Sequence, residues 1–120
     1  MISMELMLKE LEALPMEIFE AERIQAEATD LYLVRKLDLK SLESDLVKEG
    51  KAKGRSEREK ALILHGYTKE LEKEILYLQQ DVAYAKTVVN WKQNRLEAIK
   101  ATIEALRAPE RPSIRVLPPT

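Results

Sequence analysis

Residues 68–107 read TKELEKEILYLQQDVAYAKTVVNWKQNRLEAIKATIEALR, and their apolar positions decide the fold. Leu71, Ile75, Leu78, Val82, Ala85, Val89, Lys92, Leu96, Ile99, Ile103 and Leu106 follow one another at alternating steps of four and three, and ten of these eleven are apolar. A stripe at that spacing runs along one side of an α-helix and asks for a facing helix. With no Gly or Pro inside it, the pattern predicts a long coiled-coil-like helix over about 68–107.

The preceding sequence supplies a facing helix. Leu14, Ile18, Ala21, Ala28, Tyr32, Leu39, Leu42 and Leu46 keep the same repeat toward Lys48, with Gln25 and Arg35 as polar interruptions. Between the two stripes, KEGKAKGRSEREK at 48–60 holds two of the three glycines. Gly50 is suited to end a helix in the left-handed conformation, and Ser56 followed by Glu59 is a capping-box pattern. An antiparallel return across so short a connection is the simplest way to bury both stripes. At about 1.5 Å per residue the earlier helix would extend on the order of 50 Å, so the molecule is expected to be elongated.

Two punctuation marks subdivide this pattern. Ser3 can cap a short helix carrying Met4, Met7, Leu8 and Leu11, which Pro15 would separate from the next, a kinked continuous helix being the alternative. Gly66 weakens the second stretch, and Thr68 resembles a fresh start, so a kink or short break is expected there. The expected fold is therefore all-α: an elongated antiparallel helical hairpin with a short N-terminal helix, dimerising to a helical bundle. Its helices fall at about 3–14, 16–48, 56–65 and 68–107, in a single helical domain over 1–107. A proline-rich tail, APERPSIRVLPPT, follows at 108–120, where Ile114, Val116 and Leu117 either remain disordered or dock as an extended strand.

Composition narrows the function classes. The 120 residues carry 20 Lys and Arg against 21 Asp and Glu, a net charge of −1, which excludes a wholly polybasic or acidic chain. Eight acids and two bases fall within residues 1–30, and the rest of the chain totals +5. The absence of cysteine removes disulfides, thiolate metal sites and cysteine nucleophiles. The opening MISMELMLKELEAL is acidic where a signal peptide is basic, and no apolar run approaches the roughly 20 residues that span a bilayer. The expectation is a soluble cytoplasmic protein without membrane contact.

No enzyme signature is present: there is no Gly-rich phosphate loop, GxSxG or HExxH, and the one histidine, His65, lacks the Glu-x-x-His partners of helical metal bundles. Glu17, Glu20 and Glu27 read as a solvated face rather than metal carboxylates. No catalytic residue, cofactor or metal is expected.

Association is the better-supported theme. Tyr77, Tyr84 and Trp91 recur every seven residues, off the aliphatic stripe, and so define a second contact face. That face suits a protein interface, for which amphipathic aromatics are favoured, or stacked single-stranded bases with Lys86, Asn90, Lys92, Asn94 and Arg95 nearby. Because two helices bury only a thin layer, a homodimer closing a four-helix core is expected, with Leu78, Val82, Tyr84, Val89, Trp91 and Leu96 at the interface. The basic turn offers Lys51, Lys53, Arg55 and Arg58, within a cluster that includes Lys48 and Lys60, as contacts for an anion or nucleic acid, although the near-neutral total charge argues against nucleic acid as the main partner. Lys92 within the stripe is expected to snorkel or to pair with Glu22 or Glu27.

The segment GKAKGRSEREKALIL at 50–64, then a Tyr-bearing interruption and WKQNRLEAIKATIEALR at 91–107, resembles small helical-hairpin proteins of bacteriophages and prophages. Gly54, Arg55, Ser56, Glu57, Glu59 and Lys60 match their Gly-basic-Asn/Ser-Glu-x-Glu/Lys-Arg/Lys element. The resemblance covers residues 50–107 and transfers no catalytic residue. It implies a bacterial cytoplasmic accessory protein, either an adaptor for a phage or host protein or an auxiliary factor on single-stranded nucleic acid. The non-enzymatic adaptor is the expected function and nucleic-acid binding the alternative.

Overall fold

The computed structural model describes residues 3–51 and 56–107, and among these it is all-α, with two helices and no strand. Helix α1 spans Met4–Lys48 and α2 spans Glu57–Arg107. They form an antiparallel hairpin. The expected tail at 108–120 lies outside the described residues.

Local chemistry sets the helix ends where the sequence places them. Ser3 Oγ accepts the Leu6 amide at 3.1 Å, and the Ser3 carbonyl accepts that of Met7. At the other end of α1, Gly50 adopts φ 77°, the Lys51 amide reaches back to the Leu46 carbonyl at 2.9 Å, and the Gly50 amide to Val47 at 3.0 Å. This pair of bonds is a Schellman closure, which satisfies carbonyls left open by the last turn. Ser56 Oγ accepts the Glu59 amide at 3.1 Å and starts α2.

Two helices stand where four were expected. The segments 3–14 and 16–48 are one helix through Pro15, so there is no separate short N-terminal helix. Proline removes one amide donor from the ladder, but its ring here lies on the exposed side, while Leu14 and Ile18 on either side of it are buried at 5% and 9% exposure. Packing across the site holds the helix together where local propensity would end it. The segments 56–65 and 68–107 are likewise continuous through Gly66. Thr68 does not begin a helix: its hydroxyl lies 3.1 Å from the Leu64 carbonyl, a bond back into the preceding turn, and the residue is 3% exposed within the stripe.

Contacts divide the chain into two compact units. The first joins the α1 segment up to Ala21 to the α2 segment from Val88. Met7, Leu14, Ile99 and Ile103 form its core, with Met4, Leu8, Leu11 and Leu96 packed against them. Ile18, Ala21 and Val89 are also buried. The second unit is Glu22–Thr87. Its seam side chains, among them Ala28, Tyr32, Leu39, Leu71, Ile75, Leu78 and Val82, are half-buried, and its only fully buried hydrophobic residues among those described are Leu46 and Ala85. The first unit buries four core side chains in one cluster, whereas the seam of the second is mostly half-buried.

Candidate functional site

In the first unit, the acids of α1 meet the bases of α2 beside the apolar core. Arg95 donates from Nε to Glu10 Oε2 and from Nη2 to Glu10 Oε1, both at 2.8 Å, a bidentate pair. That hydrogen-bonded pairing is the main cause holding the Glu10 carboxyl below its usual value; desolvation opposes it, and the charge of Arg95 adds to it. Arg95 in turn is held above its ordinary value by the same bond. Lys92 Nζ donates to Glu17 Oε1 at 2.9 Å, and its ammonium also stands 5.9 Å from the Trp91 ring centroid.

The partner of Lys92 is thus Glu17, not Glu22 or Glu27. The core sets the height: with Met7 and Ile103 in one cluster, eleven residues onward along α1 and eleven back along α2 bring Ile18 level with Lys92. Glu17 adjoins that level, whereas Glu22 and Glu27 lie one turn and more beyond it.

Glu10, Leu14, Glu17, Trp91, Lys92 and Arg95 line an open recess of about 250 Å³. Its charged walls are internally neutralised, and Trp91, 65% exposed, is its apolar rim. This arrangement has one surface aromatic and no unpaired acid or base poised for proton transfer. Of the groups considered for phosphate contact, Lys92 and Arg95 are engaged by acids of the same unit.

The interface residues expected from sequence separate by environment. In the first unit Val89 is buried, Leu96 is half-buried against the core, and Trp91 faces solvent. In the second, Leu78 and Val82 are half-buried in the seam, while Tyr84 is 72% exposed, as is Tyr77 to a lesser degree. The aromatics face solvent, whereas the aliphatic members pack within the chain.

Lys51 and Arg58 are exposed at the ends of the connection; Lys53 and Arg55 lie outside the described residues. The second unit has its own cross-helix ion pair. Arg35 Nε, buried in the seam, stands 3.1 Å from Glu74 Oε1, off the line of a good hydrogen bond, and Nη1 donates to Asp38 Oδ2 at 3.0 Å. His65 is exposed and its Nδ1 lies 2.7 Å from Glu72 Oε2, which Thr68 Oγ1 also approaches at 3.1 Å. No group of three or more metal-ligating side chains occurs among the described residues, and Glu17 serves Lys92 instead.

The Glu10–Arg95 pair was not anticipated, yet its signal is in the heptads. Both residues immediately precede a first-of-heptad seam position, Leu11 and Leu96, and such flanking positions face each other when helices pack antiparallel. None of the described helices is long and apolar enough to cross a membrane. No family model matches the chain, and no curated protein or solved structure shows significant similarity to it.

Proposed function

We propose that this chain is a non-enzymatic protein–protein interaction module that assembles as a homodimer in the cytoplasm and serves as an adaptor, its partner a phage or host protein as the resemblance over 50–107 suggests. One observation carries the reading. Among the described residues, sixteen large hydrophobic side chains are exposed against nine buried hydrophobic ones. Isolated surface leucines are ordinary, but this much exposed apolar side chain on two helices supports a face covered by another chain. Trp91 in the first unit and Tyr77 and Tyr84 in the second give partners the amphipathic aromatics that interfaces favour.

Solution mass by light scattering across a dilution series, at low and high salt, with and without a labelled single-stranded oligonucleotide, tests this. The module reading expects a dimer that persists in high salt and ignores the oligonucleotide. A monomer at every concentration would refute it. A complex with the oligonucleotide that dissolves as salt rises would favour the basic connection as a nucleic-acid contact instead.

A further inference from the structure

The seam of α1 in the second unit faces α2, yet the opposite side of the same helix carries a second stripe. Ala26, Asp30, Leu33, Leu37, Lys40 and Ser44 follow one another at steps of four and three without a slip, and all six are exposed. Leu33 and Leu37 are 50% and 64% exposed. Leu33 and Leu37, on a side turned away from α2, are left uncovered by the hairpin, and the second unit is the one with few buried hydrophobic residues.

The order of residues in this stripe specifies its occupant. In an antiparallel helix pair with its two-fold axis level with Arg35, Leu33 of one copy meets Leu37 of the other, and Asp30 meets Lys40. Ala26 then meets Ser44. Because the axis generates every contact twice, the pairing yields two leucine layers at the centre, an opposite-charge pair on each side and small residues beyond. Parallel pairing would set Asp30 on Asp30 and Lys40 on Lys40. Shifting the antiparallel register by one heptad puts Asp30 opposite Leu33, or Leu37 opposite Lys40. Of these arrangements only the first sets leucine on leucine and acid on base. No intrachain ion pair among the described residues engages Asp30 or Lys40.

We infer that the outer face of α1 over residues 26–44 is a homodimer interface, occupied by the same face of a second copy running antiparallel. The inference rests on the reading of the chain as a self-assembling module and locates that assembly on α1, leaving the aromatics of α2 free for a different protein.

The test is a charge exchange read by light scattering and sedimentation on the full chain, with helicity followed by circular dichroism. Asp30→Lys and Lys40→Asp each place like charges opposite one another twice, so each variant alone should dimerise roughly tenfold or more weakly than wild type. An equimolar mixture of the two, and the double variant carrying both substitutions, should recover the wild-type mass, because opposite charges again face each other. Unchanged helicity in both single variants excludes unfolding as the cause. Trp91→Ser probes the competing placement of the interface on α2. Single variants that dimerise like wild type would overturn the placement and leave the module reading intact. Loss of the dimer in Trp91→Ser but not in Asp30→Lys would also overturn it, moving the interface to α2. A wild type that is monomeric throughout would overturn the module reading and this placement with it.

Discussion

Arg95 and Glu10 meet edge to edge, with two hydrogen bonds of 2.8 Å joining α2 to α1 beside the core of Met7, Leu14, Ile99 and Ile103. The pairing lowers the folded-state value of the Glu10 carboxyl. A carboxyl that holds its proton less tightly when folded contributes stability above its unfolded value, roughly 4.3, and loses it as pH falls through the lower folded value. Glu10→Gln is therefore expected to melt below wild type at neutral pH, and the gap should narrow as pH drops under about 4. Thermal melts of both proteins from pH 7 downward check this; a gap of constant size would show that the charge of Glu10 is not what matters.

Ile99 is the most deeply buried large side chain described, at 2% exposure. Truncating it to Ala removes three carbons and leaves a cavity among Met7, Leu14 and Ile103, which is expected to cost about 2–4 kcal/mol in urea unfolding. Val89→Asp should be harsher and unfold the first unit, because Val89 is 6% exposed and a carboxylate there has no counter-charge assigned to it. Loss of assembly in that variant would consequently say nothing about an interface. Trp91→Ser, two residues on but facing solvent, should alter stability by no more than about 0.5 kcal/mol. Parallel denaturation curves of the three variants measure the contrast.

The seams were legible because burial obeys one period. Each position from Leu71 to Ile103 in the alternating four-three series is buried or half-buried, as is each α1 position from Leu14 to Leu46 in the matching series. At Pro15 the continuous helix kept as the alternative is the one that forms, and at Gly66 the expected break is absent, because neither residue acts as a local signal alone. The α1 repeat extends back through Leu11, Met7 and Met4 without losing register at Pro15, and Thr68 precedes Leu71 by the expected three. A repeat that keeps phase across a breaker shows that tertiary packing outweighs it. Glu17 as the partner of Lys92 was harder to see, since a pairing register depends on which core residues meet, and nothing in a single stripe states its offset from another. The outer face of α1 is not legible as an apolar period, because Asp30 and Lys40 flank Leu33 and Leu37, although those two charges are what distinguish one pairing direction from another.

Pro15 leaves the Leu11 carbonyl without its amide donor in the ladder of a helix that continues regardless. Its side is exposed, so a replacement meets solvent rather than core. Pro15→Ala is expected to stabilise the first unit, by up to about 3 kcal/mol, the cost of an interior proline. The readout is the urea midpoint together with amide exchange at Leu14–Phe19, which should slow. A fall in stability would mean that the native backbone at Pro15 is bent in a way other elements depend on.

Glycine is used in opposite senses at two positions, and the same substitution separates them. Gly66 lies inside α2, and a Cβ added there meets nothing within 4 Å. Alanine at that position removes unfolded-state freedom without steric conflict, so Gly66→Ala should stabilise the protein by about 0.5–1 kcal/mol. Gly50, at φ 77°, closes α1 in a conformation that costs an L side chain roughly 1–2 kcal/mol. Gly50→Ala should therefore destabilise by about that amount while leaving the helices themselves unchanged by circular dichroism. Urea midpoints moving in opposite directions, at a common slope, would establish that Gly50 is required by the turn and Gly66 by nothing inside the hairpin. If Gly66→Ala instead weakens assembly while raising the stability of the isolated chain, the open space above Gly66 is where another backbone approaches.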